Sequence, residues 1–185
     1  MKKILFTVFA VCIMFAASAQ FKGGLKAGAN LANLTGDVTD TKMLFGFHVG
    51  AYGQFSLSDA LTLQPEVLYY GAGAAYDPDG DIKLNYLVVP VMFKYNLGES
   101  FNIQAGPQVG LLLSAEANPG GVDIKDFVSG TDFSLNVGVG AGFGKFSVDA
   151  RYSLGLSNIS DDGSNDEIKN AVIQISLGYQ LFGGE

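Results

Sequence analysis

The stretch Thr131-Asp132-Phe133-Ser134-Leu135-Asn136-Val137-Gly138-Val139-Gly140-Ala141-Gly142-Phe143, then Gly144-Lys145, then Phe146-Ser147-Val148-Asp149-Ala150-Arg151-Tyr152-Ser153-Leu154, decides the fold. Phe133, Leu135, Val137, Val139 and Phe143 recur with period two, which places them all on one face of an extended strand. After Gly144-Lys145 the alternation resumes with Phe146, Val148, Ala150, Tyr152 and Leu154. Two alternating runs joined by two turn residues read as an antiparallel hairpin. The opposite face of the second run carries Asp149 and Arg151, so this hairpin has one wholly apolar side and one side able to hold charge.

Working outward, the same pattern recurs along nearly all of the chain after residue 19, and no segment there sustains a helical spacing. Eight runs are predicted: Phe21–Ala32, Leu44–Leu57, Leu61–Ala74, Lys83–Tyr95, Phe101–Ser114, Thr131–Phe143, Phe146–Ser157 and Ala171–Phe182. Each exceeds the roughly 9–11 residues a tilted strand needs to cross hydrocarbon. Ser58-Asp59-Ala60, Asn96 to Ser100 and Gly144-Lys145 are tight turns. Asn33 to Met43, Ala75 to Ile82, Ala115 to Gly130 and Asn158 to Asn170 are longer and polar. Short turns on one side and long loops on the other match outer-membrane barrels, whose turns are periplasmic and loops external. An even strand number puts both termini on the periplasmic side.

Alternation alone does not say which face points inward, since soluble lipocalin-like barrels alternate too. A soluble exterior carries charge on roughly a quarter to a third of its positions, whereas the polar face here is mostly Gly, Ser, Asn and Gln, with most acids in the loops. The apolar face bears no charge. Its aromatics gather near strand ends: Phe55, Phe93, Tyr95, Phe101, Phe143, Phe146 and Tyr179 at one side, Phe45, Phe47, Tyr69 and Phe133 at the other. Two such girdles mark membrane interfaces. The fold expected is all-β, an eight-stranded antiparallel transmembrane up-and-down β-barrel with a packed lumen.

Lys2 and Lys3, the apolar run Ile4 to Ala16, and Ala17-Ser18-Ala19 form a cleavable signal peptide over residues 1–19, leaving 20–185 as one barrel domain. The single cysteine, Cys12, falls in the leader, so no disulfide is expected. The formal charge of −7 becomes more negative on cleavage, which argues against nucleic-acid binding. All 25 glycines follow the leader, and with so much apolar sequence beside them they serve packed structure rather than disorder.

Four segments carry a family resemblance: Leu63-Gln64-Pro65-Glu66-Val67-Leu68-Tyr69, Tyr86-Leu87-Val88-Val89-Pro90-Val91-Met92, Ala105-Gly106-Pro107-Gln108-Val109-Gly110, and Asp149-Ala150-Arg151-Tyr152 followed by Gly155-Leu156. In this order and spacing they resemble the PorT-type family of bacterial outer-membrane β-barrel domains. The resemblance implies a compact eight-stranded barrel and, through the family's namesake, a part in protein secretion and cell-surface assembly. It departs from the usual pattern at the C-terminus, where Phe182 is followed by Gly183-Gly184-Glu185. Pro65, Pro90 and Pro107 lie within predicted strands, where each loses a ladder donor, and local bulges are the expected accommodation.

An eight-stranded lumen is just wide enough for side chains to fill. Lys22, Lys26, Glu66, Lys94, Asp149 and Arg151 all fall in its periplasmic half. The third and seventh strands lie opposite each other in the ring, so Glu66 and Arg151 are expected to pair within a structural charge network with Asp149, Lys94 and Lys26. His48 is expected to be hydrogen-bonded in the lumen, and no strand register read from the sequence places a serine beside it. Asp77-Pro78-Asp79-Gly80-Asp81 clusters three carboxylates that could hold a hard divalent cation, though solvated loops explain them equally well, and Gly138–Gly144 lacks the spacing of a phosphate loop. No catalytic or metal residue and no cofactor is expected. The expected partners are the outer-membrane bilayer and unidentified envelope or secreted proteins, with the chain monomeric. The leading function is a non-enzymatic anchor with acidic loops; an accessory secretion role and a narrow channel are the alternatives.

Overall fold

A sheet whose apolar face meets lipid must close, because hydrocarbon offers no partner to a free strand edge. The computed structural model describes residues 21–76, 80–161 and 166–183. The predicted leader with Cys12, and Asp77, Pro78, Asp79 and Asp162, lie outside the described residues. Eight long strands make the wall: β1 (Phe21–Gly36), β2 (Leu44–Ser56), β3 (Leu61–Tyr76), β4 (Gly80–Leu97), β5 (Phe101–Asn118), β6 (Thr131–Phe143), β7 (Phe146–Gly155) and β8 (Ile168–Phe182). Each pairs antiparallel with the next, and β8 returns to β1 from Gly23↔Phe182 to Gly36↔Ile168, closing the ring. Connections 57–60, 98–100 and 144–145 define a turn end; 37–43, 77–79, 119–130 and 156–167 define a loop end.

The two faces separate as the alternation requires. Phe45 is 72% exposed, Val139 56% and Ile175 58%, whereas Glu66 is 1%, Asp149 0% and Arg151 3% exposed. The wall is therefore apolar outside and polar inside, the inverse of a soluble protein and the arrangement a bilayer demands. Phe93, Tyr95, Phe101, Phe143, Phe146 and Tyr179 stand exposed toward the turn end, and Phe45, Phe47 and Phe133 toward the loop end.

Two details of the wall differ from the sequence reading. The segment Ala75 to Ile82 is not a long loop: β3 runs to Tyr76, β4 starts at Gly80, and these two residues pair. Tyr76 and Ile82 pack against the buried cluster around Leu84 and Tyr86, so inward burial continues past the polar residues and draws the strands onward. The three prolines are accommodated without bulges. The β3–β4 ladder is interrupted between Pro65↔Val91 and Leu68↔Val88, and the β4–β5 ladder between Pro90↔Gln108 and Phe93↔Ala105, with the register unchanged across each gap. A bulge would have turned the following side chains to the wrong face, whereas a simple interruption costs only local bonds. The register shift of this region lies instead at Asn85/Tyr86.

A further interruption separates β2 from β3 at the loop end. Their ladder runs from Ser56↔Thr62 to His48↔Tyr70 and stops. Thr41↔Tyr76 and Lys42↔Ala75 resume it one residue out of phase, which leaves Leu44–Phe47 and Gly71–Ala74 without ladder partners in each other. At Gly73, with φ +121°, the backbone adopts a conformation that side chains disfavour, and the strand turns away there.

Candidate functional site

The lumen is filled in three tiers. Toward the turn end, β1, β3, β4, β5 and β7 each direct a polar side chain into one cluster. Arg151 Nη1 and Nη2 donate to Glu66 Oε2 and Oε1 at 2.9 and 2.6 Å, a two-pronged charge-assisted pairing. Arg151 Nε donates to Gln104 Oε1 at 2.9 Å. Lys26 Nζ lies 2.8 Å from Glu66 Oε1 and 2.9 Å from Asp149 Oδ2. Lys94 Nζ and Gln104 Nε2 donate to Asp149 Oδ1 at 3.1 and 2.8 Å, and Gln64 Nε2 donates to Glu66 Oε1 at 2.5 Å. Lys26, Glu66, Lys94, Asp149 and Arg151 thus form one connected cluster in which three cations share two carboxylates. Lys22 stands apart from it. It lines a vestibule of about 350 Å³ open at the turn end, with Gln54, Asn96, Asn102 and Lys145, which ends at Lys94.

Sequence reasoning missed Gln64 and Gln104, the amides that complete this tier. Both sit two residues or one strand away from a charged partner on the inward face, and that parity was the signal available. Buried charges cost several kcal/mol each unless the remaining lone pairs and protons are also matched, and the two amides supply those bonds.

The middle tier is a hydrogen-bonded chain around His48. Its Nδ1 lies 2.7 Å from Asn30 Oδ1 and its Nε2 2.8 Å from Ser176 Oγ. The serine that the sequence reading could not place beside His48 is Ser176. Gly28 of β1 is registered with both His48 of β2 and Ser176 of β8, so the two side chains meet across a residue that has none. A Cβ added at Gly28 would come within 2.6 Å of His48 Cε1. The Asn–His–Ser order has the connectivity of a nucleophilic triad, but all three side chains are buried, and neither the vestibule nor the loop-end cavity is lined by any of them. A fluorophosphonate probe, which reports activated serines, is expected to label the folded barrel no more than it labels Ser176→Ala.

The loop-end tier is apolar: Leu34, Leu84, Tyr86, Leu112, Ile159 and Val172 pack together. The loops then fold over it. Ser129 N donates to Ile159 O at 2.8 Å and Asp161 N to Phe127 O at 3.0 Å, and Asp37 N donates to Glu167 O at 2.9 Å. A cavity of about 410 Å³ remains among Leu34, Ile82, Ile124, Phe127 and Ile168. It shares no lining residue with the turn-end vestibule, and the first two tiers lie between them.

Asp132, within β6, accepts from Asn170 Nδ2 and Ser157 Oγ at 3.1 and 3.0 Å, and Asp81, within β4, accepts from Asn118 Nδ2 at 2.6 Å. The candidate cation segment keeps only Gly80 and Asp81 within the described residues. Gly138–Phe143 lies within β6 and is strand, not loop.

A closed ring of eight lipid-crossing strands with a buried charge cluster turned inward defines a small transmembrane β-barrel of the outer-membrane kind. The chain belongs to the outer membrane protein beta-barrel domain family, whose model matches residues 15–161. No curated protein sequence matches the chain. Among solved structures it is similar to Ail, the attachment invasion locus protein of Yersinia pestis, at 15% identity and a TM-score of 0.55, over 88% of this chain and 99% of that one. It is also similar to Neisserial surface protein A at 15% identity and a TM-score of 0.53, over 86% and 97% of the two chains. At these identities the likeness concerns the fold.

Proposed function

We propose that the chain is a non-enzymatic outer-membrane anchor: a sealed barrel that carries acidic loops on the cell exterior, where they contact envelope or surface partners. The observation that carries this reading is the charge cluster, which occupies the cross-section that a solute would need. The orientation follows from the loop lengths, with short turns and both termini periplasmic. Residues 1–19 act as the export signal. The loop end bears Asp37, Asp40, Asp123, Asp126, Asp161, Asp166 and Glu167, which favours cationic partner surfaces. Ail has been seen with the heparin analogue sucrose octasulfate; the acidic loops here disfavour a polyanion of that type.

Planar-bilayer recording tests the seal. The purified barrel is expected to give no steady unitary conductance, and replacing Lys26, Glu66 and Arg151 together by serine is expected to open a measurable one. Clear unitary steps from the unaltered protein would establish the narrow-channel alternative instead. The four-segment resemblance to PorT-type domains supports the other alternative, an accessory role in secretion, which recovery of secreted proteins with the detergent-solubilised barrel would favour.

A further inference from the structure

Where β2 and β3 part, the wall is notched. The cavity there measures about 170 Å³ and is lined by Leu44, Phe45, Phe47, Ala72, Lys83 and Asn85, together with Gly46 and Gly71. Ala32, which is buried in the lumen core, forms its floor, so the notch reaches from the lipid face through the thickness of the sheet. On the lumen side, buried Asn30 donates from Nδ2 to Gly71 O at 2.8 Å and Phe47 O at 3.4 Å. These are backbone carbonyls at the break in the β2–β3 ladder. On the outside Phe47 packs at a tilt against Tyr69, ring centroids 5.6 Å apart, which sets the notch at the aromatic girdle, where headgroups begin.

We infer that this notch holds an acyl chain of an anionic lipid from the leaflet at the loop end, with the lipid phosphate on Lys83. An apolar cavity of about 150 Å³ takes a benzene-sized group and stays dry, so this one accepts a segment of chain and is too small for a headgroup. Lys83 Nζ is half exposed and 3.5 Å from Asp81 Oδ2, too long for a good hydrogen bond. It is the cation that lines the notch. The inference rests on the membrane-spanning wall and not on which way the loops point.

The chain contains no tryptophan, so Phe47→Trp places a single reporter at the rim, and Phe133→Trp places a matched one on β6 across the ring. Each is folded into phosphatidylcholine vesicles with a minor fraction of phosphatidylglycerol, the acyl chains of one lipid or the other being brominated. The reporter at 47 is expected to be quenched by brominated phosphatidylglycerol as though that lipid were enriched about fivefold, the gain one lysine gives near an anionic surface. The reporter at 133 should read the bulk fraction. Gly71→Leu fills the notch, a Cβ there having no neighbour nearer than 3.5 Å, and it should abolish the enrichment, as should Lys83→Gln. Equal quenching at the two positions, enrichment that survives either variant, or depletion of phosphatidylglycerol by the loop acids would each overturn the inference. If Phe47→Trp does not fold, Phe45→Trp, on the same rim, serves in its place with the same outcomes.

Discussion

Glu66→Gln is expected to lower the free energy of unfolding by about 3–5 kcal/mol, the range for stranding buried charge, and to cost more than Arg151→Gln. The asymmetry comes from the charge count of the cluster. With Glu66 neutral, Lys26, Lys94 and Arg151 crowd around Asp149 alone, and Arg151 loses the charge in both its hydrogen bonds to residue 66, at 2.9 and 2.6 Å, keeping only Asp149 at 3.9 Å as a charged neighbour. With Arg151 neutral, Lys26 still holds Glu66 at 2.8 Å and Lys94 still holds Asp149 at 3.1 Å, so two cations face two anions. Urea unfolding of the refolded barrel in detergent measures both, and the double variant should lose much less than the two single losses added together. Equal costs, or a larger one for Arg151→Gln, would mean that packing rather than charge balance governs this tier.

The second large effect lies on the other face. Val137→Arg, midway along β6 and 47% exposed, is expected to cost about 2–4 kcal/mol when the barrel is unfolded from a bilayer, the penalty for arginine at the lipid midplane. The same substitution on a water-facing strand would stay within about 0.5 kcal/mol. Val137→Leu should be close to neutral, which separates the loss of apolarity from the change of size. An arginine tolerated at this position would contradict the membrane-facing wall.

The wall was legible because its signal is repeated. Phe133 to Phe143 alone gives a strand, but eight such runs with short and long connections in turn give a ring and a membrane. The approach of Glu66 to Arg151 was legible for a related reason: strand count puts β3 opposite β7 without knowledge of any register. The meeting of His48 with Ser176 was not. It depends on two registers at once, β2 on β1 and β1 on β8, joining residues 128 apart in sequence. The notch beside Gly71 was equally hidden, since losing ladder partners leaves the alternation of side chains untouched. Loop-end folding escaped for a different reason. Tyr76 and Ile82 are read as loop by their acidic neighbours, yet in three dimensions they extend an apolar surface that begins at Leu84.

The ladder between β1 and β8 ties Gly23 to Phe182, the beginning of the described chain to its end. Each strand before the last can pair with its predecessor as it arrives, but the ring itself waits for β8. Until then the polypeptide is a curled ribbon with two raw borders, each a template for another chain. A polypeptide that stops before Ile168 therefore gains no proportionate share of the stability; it becomes a hazard, and the cell must escort the whole ribbon to the membrane before any of it is safe.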